Sequence, residues 1–242
     1  MKNKFWNWTR NEETGERILR LDGVIDDFKW GDDDTLTTPK EFREELNSTT
    51  GDIVIYINSP GGNIFAAAEI YAMLKEYSGG KITVKIPAFA ASAATMIACA
   101  GDTVEVSPLA VIMIHNPVLN WVEGEEKDML KAAEYLADIK ENVINAYEMK
   151  TKLSRQEISD LMDAETYLNA KKAVELNFAD KFMFEENRQG EEMTAEMFSN
   201  KQAVNSLVSR FKNHLRQTQK KVITGGNALK SYKEMTERSK FL

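Results

Sequence analysis

Short apolar runs alternate with amphipathic stretches along most of the chain. Runs rich in β-branched and aromatic residues predict buried strands, and they lie at 18–25, 52–58, 82–86, 103–106 and 111–114. Apolar residues at helical spacing predict helices between several of these strands and after the last one. Because strands and helices alternate, we expect right-handed crossovers and a mostly parallel sheet, which is an α/β fold.

Capping residues set several of the expected helix starts. Thr38 with Glu41 and Ser154 with Glu157 each form a capping box, and the second box begins a helix that continues through residue 162. Further helices are expected at 64–74, from near Ser92 within the buried apolar run 88–100, at about 125–151 and at 169–176. The helix at 125–151 is long enough to project from the domain or to pack against another subunit.

The pattern predicts one domain, residues 18–185, between an N-terminal segment, 1–17, and a C-terminal extension, 186–242. The net charge of the chain is −7, but residues 209–242 carry nine Lys or Arg against two Glu, so +7 lies there and −14 in residues 1–208. The basic, partly flexible extension is either a solvated tail or a contact for an acidic partner or a nucleic acid. The acidic body argues against nucleic acid as its ligand.

Other features lead us to expect neither export nor membrane insertion. No apolar run reaches the eighteen or more residues of a spanning helix, and the aromatic and charged N-terminus lacks the continuous apolar segment of a secretory signal. Cys99 is the single cysteine, so no internal disulfide can form. We therefore expect a cytoplasmic protein that does not bind membranes.

His115 is the candidate general base. It is one of two histidines in the chain, the only one within the predicted domain, and it follows the apolar strand 111–114. An imidazole titrates near neutrality and suits proton transfer to and from a nucleophile. Ser92, in a tight stretch of small apolar residues, is the candidate nucleophile. Either residue alone is more often structural, a packing serine or a hydrogen-bonded histidine, and it is their occurrence together that points to catalysis.

Gly61 and Gly62 come shortly after the strand 52–58 and are candidates for the oxyanion hole of such a site. Glycine allows backbone N–H groups to turn outward and lets a substrate backbone approach closely. An oxyanion formed on attack by Ser92 would be held by the N–H groups of Gly62 and Ala93. The alternative is a tight strand-to-helix turn with no ligand.

Three stretches together resemble the motifs of ClpP-type serine peptidases, in the same order and at similar separations: Ile57-Asn58-Ser59-Pro60-Gly61-Gly62, Ala90-Ala91-Ser92-Ala93-Ala94 and Met113-Ile114-His115-Asn116-Pro117. The resemblance covers roughly residues 18–183. It implies a ClpP/crotonase-like α/β fold of repeated β-β-α units. The helix at 125–151 would be the long handle helix that mediates contact between stacked rings. The oligomer would be a heptamer or a double heptamer. The resemblance also implies acyl transfer through a catalytic triad, with no metal and no cofactor.

The same resemblance places the third triad member at Glu165, with Asp163 as the alternative. The family usually has Asp at this position, and the longer Glu can still orient an imidazole. The substrate would bind as an added strand between Gly61, Asn63 and Ile64 on one side and Pro117 and Val118 on the other.

The Phe5-Trp6-Asn7-Trp8 start, the glutamate at position 165 and the basic C-terminal extension are similar to the phage-encoded branch of the family, the head maturation or prohead proteases. That branch implies capsid or scaffold proteins as substrates, in the cytoplasm of the host cell. The alternatives are a housekeeping proteolytic subunit working with an AAA+ unfoldase, a Ser/Lys peptidase of the same fold, an acyl-CoA enzyme of the crotonase type, and a non-catalytic ring subunit.

Overall fold

The computed structural model describes residues 4–25 and 39–184. The strands within these ranges are β1 (Trp6–Arg10), β2 (Arg17–Ile25), β3 (Ile53–Gly62), β4 (Ile82–Ile86), β5 (Phe89–Ala91), β6 (Thr103–Val106), β7 (Val111–Ile114), β8 (Thr166–Asn169) and β9 (Lys181–Phe182). The helices are α1 (Pro39–Leu46), α2 (Ile64–Glu76), α3 (Ala93–Ala98), α4 (Glu126–Thr151), α5 (Arg155–Asp163) and α6 (Ala170–Glu175). The α/β class predicted from the sequence is confirmed.

The strands form one curled sheet in the order β8-β7-β5-β3-β4-β6-β9, and β2 adds to β3 and β1 to β2. Pairing is parallel except for β1 with β2 and β7 with β8. The long strand β3 pairs with β4 over Ile53 to Tyr56 and with β5 only at Ser59. The sheet therefore changes partners along β3, and this places the carboxyl ends of β3, β5 and β7 side by side.

The core lies on the inner face of this sheet. Ile53, Ile55 and Ile57 alternate along β3 and are fully buried, as the period of two along a strand requires. Ile70 and Leu74 of α2 join them in the same apolar cluster. Burial of each such side chain contributes about 1.5–3 kcal/mol to the stability of the fold, so β3 and α2 are held firmly in the core.

The helix expected from near Ser92 is confirmed as α3, but the first residues of the apolar run 88–100 are not helical. Phe89–Ala91 is a short strand between β3 and β7, and α3 begins only at Ala93. Ala90 and Ala91 have little intrinsic preference for strands, so pairing with the neighbouring strands fixes their conformation. The strands β1, β8 and β9 were not predicted from the sequence either.

The helix predicted at 125–151 is confirmed as α4. Its buried residues begin only at Ile139, and Leu130 and Tyr135 are 59% and 44% exposed. The first half of α4 therefore stands away from the rest of the described chain. In the part that the structure describes, no helix is long and apolar enough to span a membrane. The loop at 31–34, the cap at Thr38 and the extension 186–242 lie outside the described residues.

Candidate active site

Ser92 occupies a strained turn between β5 and α3. Its backbone has φ 56° and ψ −122°, a region that residues other than glycine avoid at a cost of about 1–3 kcal/mol. The surrounding hydrogen bonds hold it there: the Ser92 N–H donates to the Met113 carbonyl over 2.8 Å, and the Ser92 carbonyl accepts from Thr95 N–H at 3.0 Å. A serine on a sharp strand-to-helix turn projects its hydroxyl from the end of the sheet.

The imidazole of His115 lies directly beside this hydroxyl. The distance from Ser92 Oγ to His115 Nε2 is 2.7 Å, a hydrogen bond. The register explains the meeting, since β5 and β7 are parallel neighbours in which Ala91 pairs with Met113. Ser92 and His115 therefore leave the carboxyl ends of adjacent strands, at the same edge of the sheet.

The environment of His115 favours the neutral imidazole. Burial lowers the pKa of His115 below its ordinary value, and the negative charge of Glu165 opposes this shift in part. At neutral pH the ring can accept the Ser92 proton, and the nearby carboxylate favours the imidazolium that would then form.

Glu165 reaches the vicinity of His115 from the end of α5. Its backbone is left-handed, with φ 48°, and its N–H donates to the Met162 carbonyl, an ending that helices commonly adopt with glycine. The Tyr167 hydroxyl donates to Glu165 Oε1 over 2.8 Å. Burial and Glu165 raise the pKa of Tyr167, so this hydroxyl stays protonated and holds the carboxylate.

Asp163 has other partners. Its Oδ1 accepts from Asn116 Nδ2 and from Lys140 Nζ, both at 2.7 Å. The hydrogen bond from Asn116, followed by that from Lys140, lowers the pKa of the Asp163 carboxyl. Asp163 thus connects α5 to α4 and to the residue after His115.

The two glycines of β3 lie against the Ser92 turn and β2. A Cβ atom at Gly61, where φ is +90°, would be 2.6 Å from the Ala91 carbonyl oxygen. A Cβ at Gly62 would be 2.0 Å from the carbonyl oxygen of Ile25. Such approaches exclude any side chain, so both positions require glycine.

A cleft over Ser92 runs between the two expected substrate-binding segments. It is lined by Ile64 on one side and by Asn116 and Pro117 on the other, with Met96 and Tyr147 at its base. Asn63 caps α2, since its Oδ1 accepts from Phe65 N–H and Ala66 N–H. Val118 is 66% exposed.

An apolar cavity of about 310 Å³ opens beside this cleft, between α2 and α4. Ile64, Met96 and Val143 line both spaces, and Ala68 and Met149 line the cavity further from Ser92. This cavity was not predicted from the sequence. The only signal for it was the spacing of apolar residues on two helices, which buried packing produces as well.

Two residues that pack behind the Ser92 turn, Thr95 and Tyr147, were not predicted from the sequence either. The Thr95 hydroxyl, which has one proton to donate, lies within hydrogen-bond distance of two carbonyl oxygens near Ser92, and the Tyr147 hydroxyl lies 3.4 Å from the Ser92 carbonyl oxygen. Thr95 interrupts an otherwise apolar helix, which was a readable but weak signal.

Comparison with known proteins agrees with this geometry. The family model described as Clp protease matches residues 42–186, which include β3, the Ser92 turn, His115 and Glu165. The chain belongs to the Clp protease family. It is a serine peptidase of the Clp type.

Relatives within the Clp protease family are similar over most of their length. The chain is 30% identical to the ATP-dependent Clp protease proteolytic subunit 1 of Chlamydia muridarum over 145 residues, which are 59% of this chain and 76% of that protein. It is 26% identical over 170 residues to the ATP-dependent Clp protease proteolytic subunit of Carsonella ruddii, covering 70% of this chain and 84% of that protein.

Proposed function

We propose that this chain is an endopeptidase that cleaves by acyl transfer to Ser92, with His115 as general base and then general acid. The observation that carries the proposal is the 2.7 Å contact between Ser92 Oγ and His115 Nε2 at a strained serine turn. Strain of this kind persists only where the surrounding structure enforces it, and it concentrates at functional sites.

Glu165 is the proposed third member of the triad. Its charge opposes the effect of burial on the pKa of His115, as a residue that stabilises imidazolium must. Asp163, the alternative, has its Oδ1 engaged by Asn116 and Lys140. Because Asn116 and Lys140 already engage Asp163, Glu165 is the better candidate for the residue that orients His115.

Gly62 and Ala93 are the proposed donors to the oxyanion. Ala93 is the first residue of α3, where the helix itself has no acceptor for the N–H. Asn63 N–H donates to Ile25 on the β2 side of β3, and successive residues of a strand direct their N–H groups to opposite edges, so we infer that Gly62 N–H is directed toward the Ser92 side. Two preorganised donors would lower the barrier for attack by Ser92.

The substrate would enter as an extended strand between Gly61, Asn63 and Ile64 on one side and Pro117 and Val118 on the other. The apolar cavity beside Ser92 would receive the side chain that precedes the scissile bond. Its size and the apolar character of Ile64 and Met149 favour a large aliphatic or aromatic residue there.

We propose that the active form is a homo-oligomeric ring, a heptamer or double heptamer. The exposed first half of α4 and the exposed apolar residues of the preceding segment, among them Trp121, offer a contact surface between copies. The named relatives are proteolytic subunits of ATP-dependent proteases, so an AAA+ unfoldase is a partner to test.

The proposed biological role is processing of capsid or scaffold proteins in the cytoplasm of a phage-infected host. The basic C-terminal extension, +7 over residues 209–242, would suit an acidic scaffold partner. Housekeeping proteolysis with an unfoldase is the alternative. Co-expression with candidate capsid proteins, compared with addition of an unfoldase and ATP, separates these two roles by the masses of the products.

Labelling with a fluorophosphonate tests the chemistry. The oligomeric wild-type protein should be labelled, Ser92→Ala should not, and Ser78→Ala, which removes an exposed serine, should label as the wild type does. His115→Ala should also lose labelling, whereas a Ser/Lys mechanism would retain it. Unlabelled wild-type oligomer would contradict the proposal and favour a non-catalytic ring subunit.

A further inference from the structure

Thr95 lies at the junction of the two strands that deliver Ser92 and His115. It is the third residue of α3, is 1% exposed, and its hydroxyl lies 3.0 Å from the Ala90 carbonyl oxygen and 2.9 Å from the Met113 carbonyl oxygen. Ala90 belongs to β5 and Met113 to β7. One buried hydroxyl therefore bridges both strands, with its single proton shared between the two carbonyl oxygens.

This bonding pattern differs from that of an ordinary helical threonine. Such a residue usually bonds to the carbonyl four positions earlier in its own helix, as Thr151 does with the Tyr147 carbonyl in α4. Thr95 instead reaches past the start of α3 to Ala90 and across to Met113, eighteen positions away in sequence. Its bond is a tertiary contact between the strands.

The bridged carbonyls lie close to the reacting groups. Ala90 and Met113 each precede a reacting residue by two positions, and the Met113 carbonyl also accepts the Ser92 N–H at 2.8 Å. The Met113 oxygen thus accepts the N–H of the strained serine and lies within hydrogen-bond distance of the Thr95 hydroxyl. A change in this contact would alter the offset between β5 and β7, and with it the alignment of Ser92 Oγ and His115 Nε2.

We propose that Thr95 is a positioning residue for the acyl-transfer step. This inference rests on the proposed function of Ser92 and His115. Thr95 lies behind the turn and does not line the cleft over Ser92, so its loss should act on the rate of the chemical step and leave substrate binding unchanged. A misplacement of about 1 Å between reacting groups costs on the order of 10²-fold in rate.

Thr95→Val keeps the shape of the side chain and removes the hydroxyl. We expect kcat, and the fluorophosphonate labelling rate, to fall about 10-fold to 100-fold with KM within about twofold of wild type. Thr95→Ser keeps the hydroxyl and should restore kcat to within about threefold. The Ser variant separates positioning from packing, because it restores the bridge while losing the methyl group.

Thr151→Val is the matched control, since it removes the hydroxyl of an equally buried threonine that bonds only within α4 and to the residues just after it. It should lower the melting temperature and leave kcat unchanged. If Thr95→Val does not fold, Thr95→Cys replaces it and is compared with Thr95→Ser, because both lack the methyl group and the thiol donates only weakly.

Wild-type kcat in the Val or Cys variant, or a Ser variant as slow as Val, would overturn the role of Thr95. Failure of the proposed function has a different signature, since the wild-type oligomer would then show no labelling that depends on Ser92.

Discussion

Gly61 and Ser92 lie so close that a Cβ atom on Gly61 would be 2.9 Å from the Ser92 Cβ. The end of β3 and the serine turn therefore share a contact that only glycine permits. The same glycine has φ +90°, which L side chains rarely adopt. The glycine motif at the end of β3 is thus also a structural requirement of the turn that carries Ser92, the proposed nucleophile.

Gly61→Ala should disrupt the site through this contact. Because the obstructing atoms belong to backbone and to Ser92, the turn must shift, and we expect kcat/KM to fall about 10²-fold or more. Gly51→Ala is the control: φ there is +118°, but nothing lies within 4 Å of the added Cβ. It should cost stability, about 1–2 kcal/mol, with normal peptidase activity. Equal activity losses in both variants would contradict the argument.

Ser92→Gly should be more stable than Ser92→Ala. Both variants lack the proposed nucleophile, but only glycine adopts φ 56° and ψ −122° without strain, so we expect a gain of about 1 kcal/mol in the free energy of unfolding. Urea titration of both inactive variants at the same protein concentration measures this difference. No gain, or a lower free energy for the glycine variant, would mean that the turn is not strained.

The acid limb of the pH–rate profile should report His115. Burial lowers the pKa of His115, so kcat/KM should stay high down to a pH below the ordinary value of about 6.5 and then fall as the imidazole gains a proton. Glu165→Gln removes the charge that raises this pKa, so the acid limb should move to still lower pH while kcat falls by roughly 10³-fold.

Asp163→Asn is the comparison for this experiment. Asp163 is not among the groups that shift the pKa of His115, so the acid limb should stay at its wild-type pH, although loss of the Asn116 and Lys140 contacts can change kcat. A shifted acid limb in Asp163→Asn, with none in Glu165→Gln, would transfer the third triad position to Asp163.

Ala68→Trp should narrow the specificity of cleavage. Ala68 is exposed and lines the 310 Å³ apolar cavity, so an indole would fill that space without disturbing the core. We expect kcat/KM to fall at least about 10-fold for peptides with Leu or Phe before the scissile bond, and less for Ala. Ala72→Trp, on the same helix but outside the cavity, should cleave all of these peptides at wild-type rates. Equal losses for every peptide would mean that the cavity does not select the side chain.

The strands that form apolar or β-branched runs could be predicted from the sequence, and so could α4. β3 has ten residues, and its buried isoleucines repeat with period two. β5 could not be predicted, because its three residues have weak preferences and only the flanking strands hold them extended.

The sequence by itself determined the residue types that acyl transfer needs, a serine, a histidine and a carboxylate in motifs that resemble one family, and the elements that bear them. Only the tertiary structure brought Ser92 to His115, because the register of β5 and β7 sets that distance. It also separated the surroundings of Glu165 and Asp163, which lie two positions apart in sequence but face different partners where α5 ends. Side chains from distant parts of the chain create those surroundings, and no local pattern encodes them.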